Sequence, residues 1–298
     1  MRIAYFGLPL GAVVLARAGF RPVVTSLGHP DAIGARRLRR TPGRGLLLGK
    51  PVLEDPGVFR LIESARPDVI LSWFWPRRIP ERVLGLAPRG AFGVHPSLLP
   101  RHRGGDPYFH AILAGDAETG VTLHRLDAEY DTGAIVDAIP LPIREDESAW
   151  KLARRIDRPS LALLVRCATR LGDGEALRGT PQDETHATAA EPPTEDELAI
   201  DWHEPTLHVA RLIRAASPDP GATALLGDTL VSILEARASG GAPGALEPGE
   251  AFFVDGRVRV KTGDASVELA LVRVEESESE AVGTLVRGES IARLVPTD

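Results

Sequence analysis

A chain of 298 residues with 43% hydrophobic and 26% charged residues can hold one large domain or two modest ones with ample core. Its single cysteine, Cys167, excludes an intrachain disulfide and a multi-cysteine metal site, and it fits a reducing cytoplasm. No apolar run is long enough to span a bilayer, so no membrane role is expected.

In chain order, residues 3–6 and 22–26 read as short strands separated by a helix over 11–18, the β-α-β opening of a doubly wound sheet. The apolar N-terminus therefore reads as a buried strand and first helix, not as a secretion signal. The turn after residue 6 lacks G-x-G-x-x-G, so a nicotinamide dinucleotide is not expected. Residues 29–50 turn to Arg, Gly and Pro, and Arg36, Arg37, Arg39, Arg40 and Arg44 form a basic cluster. It is either a solvated mobile loop or a surface that neutralises phosphates. A helix over 56–65, a strand over 68–72 and a helix over 80–86 follow. The densest aromatic stretch, residues 72–80, lies between the last two.

Residues 90–135 are the most informative part of the chain. A strand over 90–95 ends at His95 and runs into Ser97-Leu98-Leu99-Pro100 and the basic turn Arg101-His102-Arg103-Gly104-Gly105. A helix over 107–114, a turn over 115–120 and a strand over 121–126 lead to an acidic loop with Asp127, Glu129 and Asp131. Strand C-terminal ends line the ligand crevice in parallel-sheet folds. A His and an Asp meeting there form a proton-transfer pair, the carboxylate favouring the charged imidazole. The bland alternative is a structural His and a capping Asp. His102, His110 and His124 are not at paired metal-ligand intervals, so no metal site is expected. A strand closing over 140–143 and a long amphipathic helix over 147–171 complete this region. Residues 172–197 are polar and proline-rich, as a linker would be. Short β-like runs at 229–234, 251–254, 258–260 and 267–274 read as an all-β module.

The words His95, Ser97-Leu98-Leu99-Pro100, Arg103-Gly104, Glu118-Thr119-Gly120-Val121-Thr122 and Asp131-Thr132-Gly133-Ala134-Ile135 resemble, in order, the motifs of the formyltransferases that use 10-formyltetrahydrofolate. That family includes methionyl-tRNA and sugar-amine formyltransferases. Ile200-Asp201-Trp202, the helix with Arg211 and Arg214, and Pro220-Gly221 resemble the opening of its C-terminal domain. The resemblance implies a Rossmann-like doubly wound α/β N-terminal domain (1–180), a linker (181–197) and a C-terminal OB-like β-barrel domain (198–298). It implies His95 and Asp131 as catalytic residues and 10-formyltetrahydrofolate as co-substrate. Trp75 and Ile79, Ser97 to Pro100 (Leu98 and Leu99 included), and Ala128, Glu129 and Tyr130 would border the folate.

Formyl transfer needs a group that takes the amine's proton and a group that holds the oxyanion. The family motif begins with an Asn whose side-chain amide serves the formyl oxygen, and here that position is Gly93. A water is expected in the space, or an indole N–H from Trp73 or Trp75, or else a bulkier donor uses the room. Asn at position 93 is expected to lower the native activity. From residue 200 onward the chain has 9 Lys and Arg against 16 Asp and Glu, a net −7, with Glu275, Glu276, Glu278 and Glu280 clustered. Such a domain disfavours tRNA and points to a small amine, such as an amino-sugar nucleotide. Methionyl-tRNA formylation, formyl hydrolysis or other formyl processing, and silent folate binding are the alternatives.

Overall fold

A computed structural model describes residues 1–29, 31–41, 45–227, 229–274, 284–288 and 290–291. Arg44 of the basic cluster and Glu275, Glu276, Glu278 and Glu280 of the acidic one lie outside the described residues.

Strands and helices alternate through the first hundred residues: β1 (Ile3–Gly7), α1 (Pro9–Arg17), β2 (Pro22–Leu27), α2 (Ala35–Arg39), β3 (Leu46–Gly49), α3 (Pro56–Ser64), β4 (Val69–Trp73), α4 (Glu81–Leu84) and β5 (Ala91–His95). A parallel neighbour needs a crossover, and helices supply it along this stretch. β3, β2, β1, β4 and β5 follow one another across the sheet in parallel. α5 (Pro107–Ala114) precedes β6 (Glu118–Arg125) and β7 (Ile135–Pro142). These two strands extend the sheet antiparallel beyond β5, giving seven strands in the order β3-β2-β1-β4-β5-β6-β7. Every residue of β1, β4 and β5 is buried, as expected of strands covered on both faces.

Local chemistry fixes the crossovers. Pro9 opens α1 at a position where a missing N–H costs nothing. Gly7 has φ +142, and a Cβ there would run into the Trp73 carbonyl, so the chain can turn over β4 at this point only with glycine. Asp55 caps α3 by accepting from Gly57 N (2.7 Å) and Val58 N (2.9 Å). One face of the sheet packs Ala4, Phe6, Val24 and Ile70 with Leu53, Ile62, Ile79 and Val83. Cys167, buried in α6 (Ala149–Gly172), has its thiol pushed up to about 12, chiefly by burial. It is an inert core residue.

By contacts the chain divides into two units. The first comprises residues 1–107, 118–142 and 154–191, and the second 108–117, 143–153 and 192–298. Within the second, α7 (Glu195–Leu198) starts with a capping box between Thr194 and Glu197. α8 (Thr206–Ala216) is anchored by Asp264, whose Oδ1 accepts from Thr206 N at 2.7 Å. An antiparallel sheet follows, of β8 (Ala222–Leu226), β9 (Thr229–Ser239), β10 (Ala251–Val254), β11 (Arg257–Lys261) and β12 (Ser266–Val274), in the order β10-β11-β12-β9-β8, with β13 (Thr284–Arg287) against β12. No helix among the described residues is long and apolar enough to cross a membrane.

The architecture is that expected from sequence: a Rossmann-like α/β unit and an antiparallel β module. Several elements differ. The stretch 29–50 carries α2 and β3, where only a basic loop or phosphate surface was expected, because Leu38 and Leu46 to Leu48 supply apolar positions that the arginines obscure. The turn expected over 115–120 ends early, since β6 begins at Glu118. The strand expected over 140–143 is the tail of β7, which starts at Ile135.

Replacing Asp55 with Ala should lower stability by about 1 kcal/mol, measured as a fall in the urea midpoint at unchanged slope. An unchanged midpoint would mean that solvent satisfies the N-terminus of α3 equally well.

Candidate active site

His95 is the last residue of β5, and alternation along this buried strand sends its imidazole to the same side as Gly93. The loop beyond it is tied to β6 by one hydroxyl: Thr122 Oγ1 donates to Ser97 O (2.7 Å) and accepts from Leu99 N (3.1 Å). Ser97, buried, donates its own hydroxyl to Arg101 O at 2.6 Å. The loop then turns at His102, a non-glycine residue with φ +58, so that the His102 carbonyl meets His95 Nε2 at 2.8 Å.

The second half of the site comes from the β6–β7 connection. Asp131 sits in the left-handed region at φ +57, a conformation that Asp tolerates better than most residues. Gln182 holds it there, since its amide donates to both Asp131 O (2.7 Å) and Gly133 O (2.8 Å). Arg103 in turn donates from Nε and Nη2 to Gln182 Oε1 (3.1 and 2.8 Å) and pairs with Glu184 at 2.8 Å. Gly104 N donates to Asp131 Oδ2 at 3.0 Å.

These supports bring His95 and Asp131 together. His95 Nδ1 is 3.4 Å from Asp131 Oδ2. His124, on β6, approaches the same carboxylate from the other side, with Nε2 3.5 Å from Asp131 Oδ1. The two imidazoles stand edge to face, centroids 6.4 Å apart. Side-chain exposures of 6% for His95, 2% for His124 and 17% for Asp131 make the carboxylate the accessible member. Burial, which disfavours a charged ring, holds the His124 pKa below its usual value, with the Asp131 carboxylate opposing and His95 reinforcing that shift.

The surroundings of Gly93 correct the sequence expectation. β5 and β6 pair Gly93 directly with His124. A Cβ at 93 would lie 2.8 Å from Leu126 Cδ2 and 3.0 Å from His124 Nε2. The room left by the missing amide therefore holds the His124 ring and the Leu126 methyl, where water, an indole N–H or a bulkier donor was expected. Trp73 Nε1 and Trp75 Nε1 are instead buried without a hydrogen-bond partner.

The other sequence-derived site residues fall into three groups. Trp75 lies beyond β4 with its indole edge-to-face on Phe6 (5.4 Å) and the Arg77 guanidinium over it (5.1 Å). Ile79 is a core residue of the cluster against which Trp75 packs. Ser97 and Leu99 are buried, whereas Leu98 and Pro100 are half-buried. Ala128, Glu129 and Tyr130 are exposed, with Arg78 pairing with Glu129 (3.1 Å) and lying over the Tyr130 ring (5.2 Å). His124, Arg103 in its clamp role, and Gln182 are site residues that sequence reasoning missed. The pairing of strands 90–95 and 121–126 was the available signal for His124. Among the described residues no group of three or more His, Cys, Asp and Glu side chains is placed to hold a metal ion.

Comparison with known proteins is consistent along the whole chain. Residues 41–168 match the family model described as formyl transferase, and residues 194–290 match that of the formyl transferase C-terminal domain. The methionyl-tRNA formyltransferase of Halorhodospira halophila is 33% identical, over 99% of this chain and 97% of the relative. That of Thermus thermophilus is 34% identical, over 92% and 91%. Among solved structures, an N-formyltransferase from Helicobacter canadensis in complex with folinic acid and dTDP-3-aminofucose superposes with a TM-score of 0.67 at 14% identity, covering 90% of this chain and 98% of that one. HypX from Aquifex aeolicus in complex with tetrahydrofolic acid superposes with a TM-score of 0.63 at 20% identity, covering 98% of this chain and 46% of that one.

Crowding at position 93 is measurable without knowing the reaction. Gly93→Ala should cost about 1–3 kcal/mol by overpacking, read from urea denaturation. In a His124→Ala background the same change should cost clearly less, because the two sites share one space. Equal costs in both backgrounds would place the ring elsewhere.

Proposed function

The chain belongs to the formyltransferase family, and from that premise we propose that it moves a formyl group from 10-formyltetrahydrofolate to a primary amine, with His95 and Asp131 acting at the reacting atoms. The observation that carries this reading is the His95 Nδ1–Asp131 Oδ2 approach of 3.4 Å, held by Gly104 N, Gln182 and the His102 carbonyl.

The co-substrate supplies a carbonyl carbon at the oxidation level of formate. The chain supplies proton handling and charge. Asp131 is the group an incoming amine meets, being the most exposed of the three. Its carboxylate takes a proton from the attacking nitrogen, and His95 Nδ1 shares that proton across the 3.4 Å gap. A protonated His95 beside the carbonyl stabilises negative charge as it develops on oxygen. Three features fit a flat, polar heterocycle: the unpartnered Trp75 Nε1, the half-buried Leu98 and Pro100, and the exposed run from Ala128 to Tyr130. Ile79 backs this wall from the core. The ligands named for the Helicobacter and Aquifex proteins support the choice of a reduced folate.

For the acceptor we infer a small amine such as an amino-sugar nucleotide. A C-terminal region with net charge −7 repels a polyphosphate backbone. A second reading, the amine of a methionyl-tRNA, is favoured by the names of relatives that share at least 30% identity along nearly their whole length.

Incubation with 10-formyltetrahydrofolate and a panel of amino-sugar nucleotides and methionyl-tRNA, read by mass, should show a gain of one formyl group on a small amine. Transfer to methionyl-tRNA alone would select the second reading, and formate release without any adduct would mark a hydrolase. His95→Ala and Asp131→Asn should each reduce turnover by about 100-fold or more while 5-formyltetrahydrofolate still binds. Absence of binding at millimolar folate would remove the folate reading.

A further inference from the structure

Each imidazole at Asp131 has its far nitrogen committed to a backbone carbonyl. His95 Nε2 lies 2.8 Å from His102 O, and His124 Nδ1 lies 2.9 Å from Arg125 O. A carbonyl only accepts, so in both rings that nitrogen carries the proton. In the neutral tautomers the nitrogens facing Asp131, His95 Nδ1 and His124 Nε2, therefore present lone pairs to a carboxylate that also only accepts. Two ring nitrogens thus face the two oxygens of one carboxylate, acceptor to acceptor, and each contact becomes a hydrogen bond only when a proton is held between the pair.

Formylating an amine creates a demand for this capacity. A primary amine reaches the enzyme as an ammonium and leaves as an N-formyl amide, so its nitrogen sheds two protons. The nitrogen forms a bond to the formyl carbon, the carbon's bond to N10 of the folate breaks, and N10 keeps the electron pair and takes one proton. The second proton is surplus. We propose that His124 Nε2 receives this surplus proton through Asp131, leaving the His95–Asp131 pair free to serve N10, and that position 93 is glycine because the His124 ring, with the Leu126 methyl, occupies the space of its side chain. The inference rests on the formyl-transfer reading and assigns a second base to that site. His124 is a positioning residue in this sense, since it acts on the reaction only through Asp131.

The groups facing His124 are Asp131 from the β6–β7 loop, His95 from β5, and Asp127 at the loop's start. Arg103, paired with Glu184, also acts electrostatically on Asp131 and Asp127. Burial keeps the ring neutral at neutral pH, so it is empty and ready there. Acid fills it in advance and removes the capacity. Activity should accordingly fall on the acid side through two coupled ionisations instead of one.

The test has two arms. In protein labelled with nitrogen-15 histidine, NMR between pH 5 and 8 should show His124 as the Nδ1–H tautomer above neutrality. Asp131→Asn should shift its titration. An Nε2–H tautomer, or a titration indifferent to Asp131→Asn, overturns the proposal whether or not any amine is formylated. In the second arm, His124→Gln should lower kcat about 10-fold at neutral pH with KM for the amine unchanged, and should remove one ionisation from the acid limb. A uniform loss with the two-step limb intact would make His124 merely structural and overturns the proposal. Should the parent formylate no amine at any pH, the formyl-transfer reading falls, and the surplus-proton role falls with it even if the tautomers are as assigned.

Discussion

The carboxylate of Asp131 is the constraint on which this site depends. It is held in a left-handed backbone conformation that unaided residues seldom adopt, and its surroundings over-determine that geometry. Gln182 grips the carbonyls on either side of the turn, Gly104 N binds one carboxylate oxygen, and two imidazoles approach from β5 and β6. A strained residue fixed by groups from several separate segments is characteristic of sites where preorganisation matters. The doubly wound sheet supplies what is needed: β5 ends at His95, and the antiparallel addition of β6 puts a second ring beside it.

His95 and Asp131 were legible in the sequence because they stand at fixed offsets from distinctive words, Ser97 to Pro100 and Thr132 to Ile135. The β-α-β opening was legible from apolar runs between turn residues. His124 was not, because its relevance depends on strand register: only when Gly93 is seen opposite it does the missing side chain become room for a ring. Gln182 was hidden by composition. It lies in a polar, proline-rich stretch that reads as a linker, and the carbonyls it binds are 49 and 51 residues away. α2 and β3 were masked in a similar way by the arginines around them. Local pattern found the elements that carry their own periodicity and missed those whose structure is imposed by distant partners.

The substitution at position 93 takes on a different meaning in this setting. An amide lost from a motif reads as damage when the motif is considered alone. In three dimensions the space is filled by the Leu126 methyl and by a titratable side chain that approaches the same carboxylate as the motif's histidine. Where the resemblance implies a neutral amide, the ring beside the carboxylate is one whose charge depends on pH, so the difference is one of chemical kind as well as of size.

The tether from Gln182 also ties a stretch that follows the sheet and its long helix back onto the site. Beyond it, Thr188 Oγ1 accepts from His102 N, Thr188 O accepts from Arg103 N, and Ala190 N and O bond Arg103 and Asp106. The segment from 180 to 190, which includes a short 3-10 turn at Glu184–His186, thus lies along the histidine loop, with isolated bridges to Ile135 and Arg103. A polypeptide cut at the last residue of the sheet-and-helix framework would keep His95 and Asp131 yet lose the clamp on Asp131 and the backing of the loop that carries the His102 carbonyl. By contacts, residues 180 to 191 group with the first unit, although their sequence carries no helix or sheet signal of its own.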